Sequence, residues 1–264
     1  MPIITKISVQ KNNAERYNIF LDGQYAFSVD EEVLARFQLM KGKELTDLEI
    51  AEIDYEDDIR KSVNLAIQFL SYRMRSEKEV KDYLKQKDIN ELVIQEVIHK
   101  LFDLKYLNDQ EFAIAYVRTQ MNTTKKGTKT IQLELQEKGI DEKLIEIALQ
   151  EFSEEQQISH AISLIEKLIK QNKKLSEKSL KQKIEQTLLR KGYSFDMIQT
   201  ALAEVDFSKD ESEEWNALIE HGVKAYKKLQ KYTGYEFEQR MKQNLFRKGF
   251  SIELIDKFLN EYEF

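Results

Sequence analysis

Cysteine is absent from the 264 residues, proline occurs once (Pro2) and glycine eight times. Without cysteine there are no disulfides, no thiolate metal sites and no thiol catalysis, which fits a reducing compartment. So few backbone breakers argue against an all-β fold built on turns. Apolar runs are only a few residues long, and residues 1–6 lack a charged region leading into an apolar stretch. Signal peptide and membrane span are therefore unsupported, and a cytoplasmic chain without membrane contact is expected. What is present is 33% charged residues beside a 41% hydrophobic set, enough for a core and helical in character.

The net charge of −6 is unevenly spread. Residues 1–60 hold 13 Asp/Glu against 7 Lys/Arg, and residues 44–58 hold eight acids and no base. Residues 166–183 carry seven lysines against two glutamates. Distribution, not the sum, decides whether a polyanion can bind.

The first thirty residues alternate β-branched or aromatic with polar side chains at 3–9, 17–21 and 25–29, a period of two that predicts strands. Asp22-Gly23 between the last two runs suits a type I′ hairpin turn. A small antiparallel sheet is expected, packed on a helix at 30–39 through Val33, Leu34 and Phe37 and ended by Gly42. Thr46-Asp47-Leu48-Glu49 is a capping box that opens the next helix.

Beyond residue 60 the chain repeats itself. Segments 84–90, 135–141, 188–194 and 245–251 align without gaps. Each has a packing leucine, a lysine in the last helical turn, Gly (Asp88 in the first copy), an apolar cover and an Asn, Asp or Ser cap for the next helix. An aspartate at a left-handed position is adoptable at modest cost. Apolar residues four apart continue each third helix, ending in the last copy at Leu254, Phe258 and Tyr262. The fold class expected is mainly α, with a small N-terminal β-hairpin region followed by tandem three-helix repeats forming an elongated curved rod. The boundaries read from the sequence are 1–60, 61–108, 109–152, 153–207 and 208–264.

Catalytic groups do not converge. His99, His160 and His221 lie about sixty residues apart, with neither Cys nor a His-x-x-x-His pair to build zinc. Lys126-Gly127-Thr128 lacks the upstream glycine and strand of a phosphate loop. Asp54, Glu56, Asp57 and Asp58 read as a solvated acidic face. No enzyme, metal or cofactor is expected. Surface binding remains. Arg118, Lys125, Lys126 and Lys129 have no acid among them in sequence, and nearby threonines add hydroxyl donors suited to phosphate oxygens. Lys170, Lys173 and Lys174 form a second patch, and Lys224, Lys227, Lys228 and Lys231 a third. Each sits near the end of its unit's first helix, a recurrence that suits tracking a helical polyanion.

Two motifs resemble the RecX regulatory proteins of bacteria. One is Tyr106-Leu107-Asn108-Asp109-Gln110-Glu111-Phe112-Ala113, continuing to Tyr116-Val117-Arg118. The other is Gly127-Thr128-Lys129-Thr130-Ile131-Gln132-Leu133-Glu134-Leu135-Gln136-Glu137-Lys138-Gly139-Ile140. With the capped helix at Arg75-Ser76-Glu77-Lys78-Glu79-Val80, they cover residues 65–149, and the strand-rich head plus a fourth module resemble the family's longer form. The resemblance implies a monomeric regulator that lies on the RecA filament on single-stranded DNA and depresses its ATP hydrolysis and strand exchange. The alternative is a helical-repeat scaffold for protein partners that binds neither DNA nor RecA.

Overall fold

The computed structural model describes residues 1–11, 13–205 and 211–261. Three strands, β1 (Ile4–Gln10), β2 (Asn13–Leu21) and β3 (Gln24–Asp30), form an antiparallel sheet in the order β1-β2-β3. At the β2–β3 turn Asp22 and Gly23 both have positive φ, 46° and 86°, as a type I′ turn requires. Ile4, Ile19 and Val29 are fully buried beneath the sheet with Val33 and Leu39. Helix α1 (Glu31–Arg36) is capped by Asp30. It is shorter than expected and does not end at Gly42. Gln38 turns left-handed (φ 47°) and the Leu39 N–H closes on the Leu34 carbonyl, while Gly42 lies in a later turn whose N–H reaches the Ile4 carbonyl.

Helix α2 (Asp47–Leu70) starts at the expected Thr46–Glu49 capping box and continues unbroken through residue 60. Its first half closes the head's core with Ile53, and its second half supplies Ile59, Val63 and Ala66 to the next core. Asp57 is not on a solvated face. It is 2% exposed and takes a forked contact from Arg16 (2.8 and 3.2 Å), the Asp30 N–H (2.8 Å) and Lys61 (2.9 Å). Burial alone would raise its pKa, but these hydrogen bonds prevail and hold it below the usual carboxylate range. The acidic run thereby pins the sheet to α2.

The remaining helices come in threes: α3 (Glu77–Lys85) and α4 (Glu91–Asp103) complete module 1 with α2. Module 2 is α5 (Asp109–Thr124), α6 (Thr128–Glu137) and α7 (Glu142–Leu149). Module 3 is α8 (Glu154–Gln171), α9 (Glu177–Arg190) and α10 (Phe195–Glu204), and module 4 is α11 (Glu211–Leu229), α12 (Gly234–Arg247) and α13 (Ile252–Glu261). The four aligned turns behave alike. Gly139, Gly192 and Gly249 have φ of 77°, 91° and 91°, and Asp88 adopts 58° in their place. Asn90, Asp141, Ser194 and Ser251 each accept a hydrogen bond from the first turn of the following helix. Tyr262, expected on the α13 face, lies outside the described residues.

Two compact units emerge. One comprises Met1–Ala113 with Leu135–Ile145, the other Ile114–Glu134 with the chain from Glu146 onward. Within the first, the start of α3 meets the turn after α6: Ser76 Oγ donates to the Lys138 carbonyl (2.8 Å) and Asp109 accepts from the Glu77 N–H (2.8 Å). Within the second, the start of α9 meets the turn after α12 in the same way. There Ser176 Oγ donates to the Lys248 carbonyl (2.5 Å), and Glu214 accepts from the Glu177 N–H (3.1 Å). Helix N-terminus against helix C-terminus also aligns opposite poles of two dipoles. The turn after α9 meets the start of α6 differently, through backbone: Gly127 N–H donates to the Lys191 carbonyl (2.8 Å) and Lys129 N–H to the Gly192 carbonyl (3.2 Å).

Candidate functional site

The first basic patch is partly absorbed by the fold. Helix α5 ends at Lys125, which adopts a left-handed φ of 50° and offers its carbonyl to the Tyr193 hydroxyl (3.0 Å). Burial pushes the Tyr193 phenol up to about 12, so it stays a donor. Lys125 Nζ donates to Ser163 Oγ (2.6 Å), and Lys126 pairs with Glu134, which also accepts from Tyr116 (2.9 Å). Arg118 forks onto Glu151 (2.7 and 3.0 Å). The acid-free stretch of sequence is thus supplied with acids from elsewhere in the fold. Lys129 is different. It is exposed and its side chain has no partner among the described residues, whereas its counterparts at the second position of α3 and α9 are engaged. Lys78 donates to the Glu137 carbonyl (2.8 Å), and Lys178 lies 5.9 Å from the centre of the Phe246 ring.

The second and third patches come together. Lys174 Nζ is 2.7 Å from Glu220 and Lys224 Nζ 3.8 Å from the same carboxylate, while His221 Nε2 lies 3.1 Å from the Lys174 carbonyl. Glu220 is held below the usual carboxylate range, chiefly by the Lys174 hydrogen bond. Lys170, Lys173, Lys227 and Lys228 are exposed at the ends of α8 and α11. The histidines do not assemble. His99 pairs with Asp103 (3.0 Å), and His160 packs on Phe152 with its pKa lowered by burial and then by Lys125. Among the described residues no group of three His, Cys, Asp or Glu is arranged to hold a metal, and no helix is long and apolar enough to cross a membrane. The second and third patches both leave exposed cations at helix ends.

Four family models match in sequence order: the regulatory protein RecX N-terminal domain at residues 2–46, and the first and second RecX three-helix domains at 63–101 and 108–149. The third RecX three-helix domain matches twice, at 154–202 and 211–259. A regulatory protein RecX of Bacillus subtilis (strain 168) is 53% identical over the whole of both chains, and one from Listeria welshimeri is 46% identical over 98% of this chain and 97% of its own. The chain belongs to the RecX family. A crystal structure of a regulatory protein RecX superimposes with a TM-score of 0.71 at 38% identity, covering 77% of this chain and all of that one. A RecX from Lactobacillus salivarius gives 0.55 at 44% identity over 58% of this chain and 99% of its own.

That one RecX model fits modules 3 and 4 agrees with a feature the basic-patch reading of the sequence passed over. At the last turn of the second helix and the start of the third, module 1 has an ion pair, Lys85–Glu91 (3.1 Å). The aligned positions are Leu189 and Phe195 in module 3, 48% and 58% exposed, and Phe246 and Ile252 in module 4, 54% and 58% exposed. The signal was present in the alignment of the four turns: those two columns change from charged to apolar along the chain.

Proposed function

We propose that this RecX-family chain binds the RecA filament on single-stranded DNA and depresses its ATP hydrolysis and strand exchange as a cytoplasmic monomer, without catalysis of its own. The observation that carries the reading is the end-to-end correspondence with proteins named regulatory protein RecX, module by module. The exposed Lys129, Lys170, Lys227 and Lys228 support it, because exposed lysines on helix ends release counterions when they meet phosphates. The test is RecA's DNA-stimulated ATP hydrolysis at increasing amounts of this protein. The rate should fall at or below one protein per RecA subunit; an unchanged rate at saturation refutes the reading.

One observation favours the alternative, a helical scaffold for protein partners alone: Arg118 and Lys126 already spend their charge on Glu151 and Glu134. The same assay separates the two, supplemented by direct titration of single-stranded DNA.

A further inference from the structure

The motifs shared with the RecX proteins are mostly accounted for by folding. Leu107, Phe112 and Ala113 are buried, Asn108 accepts from the Glu111 N–H, and Asp109 caps α3. Ser76 and Glu79 form a reciprocal capping box, and Val80 is fully buried. Arg75 and Tyr106 are among the motif residues without such a task, and both line the same cleft, about 300 Å³ in volume, on module 1.

We propose that this cleft is a docking site for a protein segment carrying a carboxylate beside an apolar side chain, presented by the RecA subunits themselves. The choice of RecA as partner rests on the function proposed above. Arg75 is the observation that leads. Its guanidinium lies 4.2 Å from the centre of the Phe69 ring, and Phe69 is itself stacked on Tyr83 at 3.9 Å with the planes 5° apart. The group is thus held over the ring before any partner arrives. Among the described residues it has no hydrogen-bond acceptor and no ion pair, and its Nε is sealed from solvent. An oriented guanidinium fork fits a carboxylate with two parallel hydrogen bonds. Lys105 adds a second cation at the lip. It adopts a left-handed φ of 61°, which ends α4 and turns Tyr106 back so that its N–H bonds the Leu101 carbonyl. Tyr106, 52% exposed, lines the cleft together with Met74, 48% exposed, Ile67 and Leu70. Among the described residues Glu111 is the one carboxylate lining the cleft, against two cations. The apolar wall distinguishes the occupant: a bare phosphate has nothing to place against Met74 and Tyr106, whereas Asp or Glu next to Leu or Phe satisfies both halves of the site.

The first test uses the whole protein and a minimal probe, the acetylated and amidated dipeptide Asp-Leu. The Arg75 Nε–H resonance, assigned by its loss in Arg75→Gln, should shift saturably at millimolar peptide. No shift overturns the proposal. An equal shift with inorganic phosphate at matched ionic strength also overturns it and makes the cleft a phosphate site. The second test measures binding to RecA filaments and, separately, to free single-stranded DNA. Arg75→Gln, which loses a charge-assisted contact, and Tyr106→Ala, which loses an apolar one, should each weaken filament binding about tenfold, with melting and free-DNA binding unchanged. If the wild type binds no filament, the RecA reading fails and the partner assigned here with it. If the wild type binds and both variants bind equally well, the cleft is not where RecA docks, and the RecA reading stands.

Discussion

Two kinds of junction hold successive modules together, and they differ in what does the holding. Where α3 meets the turn after α6, and where α9 meets the turn after α12, a serine hydroxyl reaches the last carbonyl of a helix and a carboxylate from the next module covers the first free N–H. Where α6 meets the turn after α9, Tyr193 and Lys191 side chains reach the last carbonyls of α5, but the two backbones also touch directly. A Cβ on Gly127 would lie 2.4 Å from the Gly192 carbonyl carbon, and a Cβ on Gly192 2.4 Å from the Thr130 nitrogen. The same task, satisfying helix termini, is met by side chains that can be exchanged in one case and, in the other, in part by backbone contact that admits only glycine. This explains Lys126-Gly127-Thr128 without a phosphate: the glycine is there for another glycine.

The comparison breaks most readily at the glycine junction. Gly192→Val should destabilise the unit that contains it by about 3 kcal/mol or more, combining a left-handed penalty with overpacking against backbone that cannot yield. Gly127→Ala, free of the left-handed term, should cost less but still exceed an ordinary surface change. Denaturant unfolding measures both, and a loss under about 0.5 kcal/mol, the usual range of surface substitutions, for either would show that the backbones are not in contact.

Gly139→Val should cost about 1–2 kcal/mol for its φ of 77°. Its new side chain meets the aliphatic part of Lys78 at 2.8 Å, which can swing aside, so the penalty should stay below that at Gly192. Hydrogen exchange should rise near residues 127–152 and hardly at all near 234–261, as expected when stability is shared between nearest neighbours. Uniform protection would mean that the four aligned turns are not one device used four times.

Ser76→Ala and Ser176→Ala refine the comparison between the two serine junctions. Each loses an N-cap, worth about 1 kcal/mol. Ser76 Oγ donates to the Lys138 carbonyl, whereas the Lys248 carbonyl accepts from Ser176 Oγ and also from Ser179 Oγ at 2.7 Å, so that junction keeps a hydroxyl when Ser176 is lost. Ser76→Ala should therefore be the more damaging by a few tenths to about 1 kcal/mol, the net worth of one hydrogen bond.

Much of this was legible in the sequence, and the misses have physical causes. Turns and caps are local: Asp22-Gly23, Thr46 to Glu49 and the four aligned repeats depend on neighbours within a few residues, so composition at fixed offsets sufficed. Ion pairs across the fold are not local. Asp57 was expected in water because its partners Arg16 and the Asp30 N–H are 41 and 27 residues away. Arg118 and Lys126 seemed unopposed for the same reason, their acids standing 33 and 8 positions along the chain. The Gly127–Gly192 contact joins two motifs that were each visible, yet nothing in either specifies the other.

Acid offers a way to tell the two serine junctions apart. Glu79, three residues after Ser76, accepts from Arg73, the Ser76 N–H and Lys138, and these outweigh the burial that would raise its pKa, so it titrates below its ordinary value. A carboxylate whose folded pKa is depressed contributes stability that is present above its unfolded pKa, near 4.5, and is lost as pH falls through the folded value. Asp109 at the same junction is raised by burial and so contributes with the opposite sign. At the other serine junction the aligned residue is Ser179, which does not titrate. Exchange around α3 should therefore increase between pH 5 and 3 more in the wild type than in Glu79→Gln, with no matching difference around α9. Equal profiles in the two proteins would place Glu79 outside the junction's stability.

The smallest effect on folding, and the most informative for binding, is expected from Lys129→Glu. Its backbone N–H belongs to the glycine junction, but its side chain does not, unlike Lys78 and Lys178 at the serine junctions. A glutamate in the first turn of α6 suits the positive end of the helix dipole, so unfolding should change by less than about 0.5 kcal/mol. If the exposed lysine meets a phosphate, affinity for the RecA–DNA filament should fall and the slope of log affinity against log salt should decrease by about one. Reversing Lys125 and Lys126 as well should deepen the loss, but those two also break contacts to Ser163 and Glu134, so only the single variant separates binding from folding. A Lys129→Glu protein that binds as tightly at every salt concentration would make this lysine ordinary solvated surface and leave the glycine junction with a purely structural role.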